Sequence, residues 1–185
     1  MNVTIMDTVG AALFRARSWT PVPLAVLAIV KARPRAKLLM PGLVFLATGL
    51  LLRLWAVVWV GPSSRTRSTD PPAERVVGGP YALLAHPIYV ANGLLSAGLL
   101  TLTGSWWPWL QSTFPALWLA QYGPIIRWEA AHLPAAVARW RPTTDLSGAL
   151  ESERRTYQGV GAFIGAALLA GGVNHLRDRI RNRRK

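Results

Sequence analysis

The side chains best suited to chemistry fall in three short stretches. The first is Gly78-Gly79-Pro80-Tyr81, the second His86-Pro87-Ile88-Tyr89, and the third Ile125-Ile126-Arg127-Trp128-Glu129, with Leu133 beyond it. An imidazole, a tyrosine hydroxyl and a carboxylate gathered at one rim could hold a polar ligand while a lipid reaches in from the side. Each residue also has a plainer reading. Pro87 fits the first turn of a helix, where a missing N–H costs nothing. Tyr81 and Tyr89 suit the headgroup layer of a bilayer as anchors, and Arg127 and Glu129 suit a solvated helix end. What favours a site is the ordered combination of all three stretches on one uncharged segment.

That segment sets the architecture. Residues 76–126 contain no Asp, Glu, Lys or Arg, and residues 38–60 contain a single charge, Arg53. A hydrocarbon layer about 30 Å thick needs roughly 20 apolar residues per helix, and both windows meet that length. A small soluble chain would need charges along every outward helix face. The expected fold is therefore all-α: an integral membrane helical bundle of four to five transmembrane helices, with an amphipathic surface segment. An uncharged helix of 51 residues would run about 76 Å at 1.5 Å per residue, so residues 76–126 must fold back on themselves. The break falls at Gly104-Ser105-Trp106-Trp107-Pro108, giving a hairpin of residues 83–103 and 107–127. A hairpin returns its two ends to one membrane face, so His86, Tyr89, Arg127 and Glu129 can meet across some forty residues.

The remaining segments are less regular. Residues 19–30 are apolar but short, and they either span with help from residues 11–14 or lie as an interfacial helix. The run 31–37 (KARPRAK) is a basic turn broken by Pro34. Arg53 should face protein or snorkel to an interface. Residues 61–79 read as a polar loop, with Pro71-Pro72 barring helix and Gly78-Gly79-Pro80 forcing a turn. Residues 130–156 read as an Arg-rich amphipathic surface helix plus loop, and residues 157–175 as a last uncharged stretch. There Gly161 and Gly165 stand in a GxxxG spacing that permits close helix packing. The organisation divides into residues 1–37, a membrane core at 38–133, and residues 134–185.

Charge and composition narrow the partners. The chain carries 21 Lys and Arg against 8 Asp and Glu, a formal charge of +13. The basic residues sit between and after the apolar windows, where they face anionic lipid headgroups rather than nucleic acid. The basic tail is the main such contact, and the glycine-rich stretch is a surface for membrane-protein partners. Orientation is not decided by charge: ten Lys and Arg fall on each side of the bundle. With no cysteine, there is no disulfide framework, thiolate metal site or cysteine nucleophile.

The motif pair resembles the isoprenylcysteine carboxyl methyltransferase and phospholipid methyltransferase family of membrane enzymes. In that family a G-P-Y-x-x-x-R-H-P-x-Y stretch opens one helix and I-R-x-E-E-x-x-L follows the next. Here the text reads GGPYALLAHPIY and IIRWEAAHL, and LLRLWAVVW at 51–59 looks like the preceding helix. Ala85 stands where the family has arginine, Ala130 where it has the second glutamate, and the later F-G-x-x-Y stretch is absent. The resemblance implies an S-adenosylmethionine-dependent methyltransferase acting on a lipid or isoprenyl-like acceptor, in the inner membrane of a bacterium. It implies a cytoplasmic cofactor pocket lined by Gly79, Tyr81, His86, Pro87 and Tyr89. Glu129 would face the amino or sulfonium charge, and Arg127 would steady a carboxylate or the acceptor, without a metal. A relative that kept the scaffold and serves as a non-catalytic subunit of a membrane complex is the alternative. Membrane sterol-type reductases share the HPxY spacing but usually show asparagine at the position of Ile88.

Overall fold

The computed structural model describes residues 3–61, 74–132 and 137–183. They form seven helices and one short ladder: α1 (Val3–Ala16), α2 (Val22–Val30), α3 (Ala36–Val60), β1 (Glu74–Val76), α4 (Pro80–Leu83), α5 (Pro87–Thr103), α6 (Trp109–His132), β2 (Val137–Arg139) and α7 (Leu146–Arg183). The all-α class expected from composition holds. Pro71-Pro72 and Leu133 lie outside the described residues.

Two helices, α3 and α7, are long and apolar enough to cross a membrane. In both the apolar surface is turned mostly outward, with Met40, Leu51 and Leu169 67%, 68% and 75% exposed. A core helix of a soluble protein buries such side chains instead.

The centre is an antiparallel pair, α3 against α5, with backbones brought close by glycine. A methyl group at Gly49 would lie 2.8 Å from the Leu95 nitrogen, and one at Gly98 would lie 2.7 Å from the Leu46 nitrogen. Leucine at Gly98 must push the helices apart, and overpacking of this kind costs about 1–3 kcal/mol. A methyl group at Gly161 would meet nothing within 4 Å. Gly98→Leu should therefore lower the melting temperature of the detergent-purified protein, while Gly161→Leu should leave it within the small range of surface changes. Equal effects would show that α3 and α5 are not packed this way.

The hairpin forms as the sequence suggests. Gly104 ends α5 in the left-handed region, φ 61°, and its N–H donates to the Thr101 carbonyl, a conformation that glycine enters without a Cβ penalty. The helix opens later than expected, at Pro87, since the chain first makes the short α4 and then an extended link at Leu84. The N-terminal segment is two helices in series rather than one, broken at residues 17–21. Helix α1 packs antiparallel on the end of α6, with Phe14 and Trp128 rings 5.2 Å apart. Helix α2 then continues to the hairpin tip, where Ser105 Oγ donates to the Ala28 carbonyl at 2.6 Å. The two helices in series thus run beside α6 from its end to its start.

Residues 130–156 depart most from expectation. No separate surface helix lies between α6 and α7 among the described residues; β2 pairs in parallel with β1, Arg75 opposite Ala138, and α7 then begins at Leu146. Asp145 caps it by accepting the Gly148 N–H at 2.8 Å. That bond, with one from the Ser147 hydroxyl, holds the Asp145 carboxyl below its ordinary range, so the cap survives at neutral pH and is lost as pH falls. Helix α7 runs unbroken for 38 residues, about 57 Å, through both the charged and the glycine-rich stretches. The charges at 151–155 did not mark a boundary because Glu153 turns inward.

Candidate functional site

The turn at Gly78-Gly79 is made against the end of α3. Gly79 has φ 58°, and a methyl group there would lie 2.2 Å from Trp59 Cε2, as one at Gly78 would from Trp59 Cζ3. Only bare backbone can lie on the indole and enter that left-handed conformation. This gives both glycines a packing role. The turn sets Tyr81 half-buried beside Arg53, Glu129 and Arg139; burial raises its phenol pKa, and Glu129 adds to this against the two arginines.

His86 stands at the N-cap position of α5 without a side-chain capping bond, and Pro87 takes the first helical position fully buried. The plain reading of Pro87 as a helix opener accounts for it. One turn on, Tyr89 is buried, and its hydroxyl donates to Glu129 Oε1 at 2.5 Å. His86 Nδ1 lies 3.3 Å from Glu129 Oε2, and its ring stacks on Tyr89 with centroids 5.5 Å apart. One carboxylate thus receives a phenol on one oxygen and faces an imidazole with the other. It remains 16% exposed, so lone pairs are left for a further donor. Helices α5 and α6 meet here as the hairpin requires. Arg127 does not join them. It is exposed on α6, and positions two apart on a helix face different directions.

Behind this cluster runs a polar chain that sequence reasoning did not find. The Tyr89 ring lies 4.8 Å from the Tyr122 ring. Asn92 Nδ2 donates to the Tyr122 hydroxyl at 3.1 Å, and Arg53 Nη1 donates to Asn92 Oδ1 at 2.6 Å. Arg53 then holds Glu153 with two parallel bonds, Nε to Oε2 at 2.6 Å and Nη2 to Oε1 at 3.0 Å. Both are buried, Glu153 to 1% exposure. Of the two expectations for Arg53, facing protein is the one that holds. A buried charge must be paired and hydrogen-bonded to persist, and here α5 and α7 supply the partners of Arg53, with Tyr122 of α6 joined through Asn92. The signal for Arg53 was its isolation in an apolar window. Asn92 and Tyr122 had only the weak signal of being polar within an uncharged hairpin, and Glu153 had none.

Chemically the arrangement is an anionic anchor at a rim, its direction fixed by Tyr89 and His86. It suits a cationic group offering N–H donors. No group of His, Cys, Asp and Glu suited to a metal ion occurs among the described residues. A shallow cavity of about 290 Å³ lined by Ala138, Arg139, Trp140 and Arg141 lies beside the same turn, as the Val77 N–H donates to the Arg139 carbonyl at 3.1 Å. Comparison with protein-family models, with curated proteins and with solved structures finds no match.

Proposed function

We propose that this chain is a membrane methyltransferase that uses S-adenosylmethionine and acts on a lipid or isoprenyl-like acceptor. The observation that carries the reading is the meeting of Glu129, Tyr89 and His86, drawn from the two motifs that resemble the isoprenylcysteine and phospholipid methyltransferases. The residues fit the cofactor in its cationic part: Glu129 is a half-buried carboxylate with lone pairs to spare, and charge-assisted contacts are the strong ones. When bound, S-adenosylmethionine supplies an electrophilic methyl group on a sulfonium. The chain's own part is to bind and to orient. Glu129 takes the ligand's positive charge, Tyr89 and His86 fix the direction of that carboxylate, and the neighbouring turn at Tyr81 shelters it from water. Methyl transfer is an in-line displacement governed by holding donor and acceptor close and aligned, which such positioning serves.

In this reading the bundle crosses a bacterial inner membrane five times, as α1 with α2, α3, α5, α6 and α7. The outward apolar faces of α3 and α7 support it. The motif end faces the cytoplasm, where the cofactor is made. The test is thermal: S-adenosylmethionine or its demethylated product should raise the melting temperature of purified protein, by about 2.7 kcal/mol of stabilisation at a hundredfold excess over Kd. No shift at millimolar ligand would remove the enzyme reading.

One observation favours a second reading, a non-catalytic subunit of a membrane complex. Gly161 and Gly165, one turn apart, leave an open strip on α7 where another helix could pack closely. The same thermal test separates the two.

A further inference from the structure

The two most basic segments of the chain, separate in sequence, are built into one rim. Asn174 Nδ2 donates to the Val30 and Ala32 carbonyls, both at 3.0 Å. Arg33 pairs with Asp178, and its backbone N–H donates to the Thr103 carbonyl at 2.7 Å. Gly171 lies against Pro34, and Gly104 of the hairpin tip lies against the Arg33 backbone and the Arg35 side chain. The end of α7, the 31–37 link and the hairpin tip therefore form one surface. Residues 31–37 carry four Lys or Arg and residues 177–183 four more, against the one acid Asp178. All eight basic residues are exposed.

The helices themselves do not call for this charge. Arginines at the end of α7 suit its dipole, but Arg35 and Lys37 stand at the start of α3, where a cation is disfavoured. Like charges four apart, as at Arg177 and Arg181, also repel. Trp106 and Trp109, 47% and 75% exposed, lie at the same end, as tryptophans do at the level of lipid headgroups.

We propose that this rim binds the phosphates of anionic phospholipid headgroups. The hairpin-tip tryptophans seat in the interface, and Arg35, Lys37, Arg177 and Arg181 reach the phosphate layer. The surface is independent of the methyltransferase reading, since it lies at the opposite end of the bundle from Glu129. Attraction of this kind rises with anionic lipid and is screened by salt.

The experiment uses the full chain in mixed micelles. Phosphatidylglycerol should raise the melting temperature by several degrees over the same amount of phosphatidylcholine, and the difference should shrink as salt is raised. The triple variant Arg35→Gln, Arg177→Gln, Arg181→Gln leaves the Arg33–Asp178 pair in place. It should match the wild type in phosphatidylcholine and lose most of the phosphatidylglycerol increment. Equal stabilisation by the two lipids, or an increment retained by the variant, would overturn the proposal. So would free glycerol phosphate reproducing the whole effect, because the source would then be a soluble anion.

Discussion

Replacing Glu153 by alanine should destabilise the bundle by about 3–5 kcal/mol, because it leaves Arg53 buried without its carboxylate. Arg53 Nε and Nη2 both lose their acceptor, and only Asn92 Oδ1 remains of the bonds described above. The cost comes from stranding a charge away from water, not from the worth of the ion pair. A well-packed apolar replacement of both partners is often neutral or stabilising, so Arg53→Met with Glu153→Leu should recover most of what Glu153→Ala loses. A thermal melt of the single and double variants decides this. For a chain of this length, several kcal/mol corresponds to a fall in Tm on the order of 10 °C. If Glu153→Ala melts like the wild type, α7 does not dock on α3 through this pair.

How much of this was legible follows from what each signal depended on. The hairpin was readable because an uncharged run too long for one crossing has to turn, and Gly104 to Pro108 was the one place suited to it. The meeting of Tyr89 with Glu129 followed from that geometry. The partner of Arg53 was not readable. An isolated arginine in an apolar helix announces a need, but eight acidic residues could answer it. Glu153 looked like one more surface charge among Glu151, Arg154 and Arg155. The same disguise concealed the continuity of α7, since a helix with one buried and several exposed charges reads as a polar surface element. The β1–β2 ladder escaped for a different reason: three-residue strands leave too short a pattern to separate from loop. At Arg127 the sequence placed the residue beside Glu129, and helical rotation put it on another face.

The second large effect concerns Glu129. Glu129→Gln keeps shape and volume while removing the charge, so α6 and its contact with Tyr89 should persist in altered form. Removing one side of a charge-assisted contact in a poorly solvated site costs about 1.5–3 kcal/mol, roughly ten- to a hundredfold in affinity. Cofactor binding should fall by that factor with Tm little changed. His86→Ala should weaken binding less, because Tyr89 still orients the carboxylate at 2.5 Å. If the chain is a scaffold, neither change should alter any ligand affinity.

The most direct measurement is a calorimetric titration of the detergent-purified wild type and Glu129→Gln with S-adenosylhomocysteine, alongside a melting curve for each. The methyltransferase account predicts a saturable binding heat in the wild type that is lost or weakened at least tenfold in Glu129→Gln, with both proteins folded. Absence of binding heat at millimolar ligand in the folded wild type, or equal affinity in the two proteins, would contradict it.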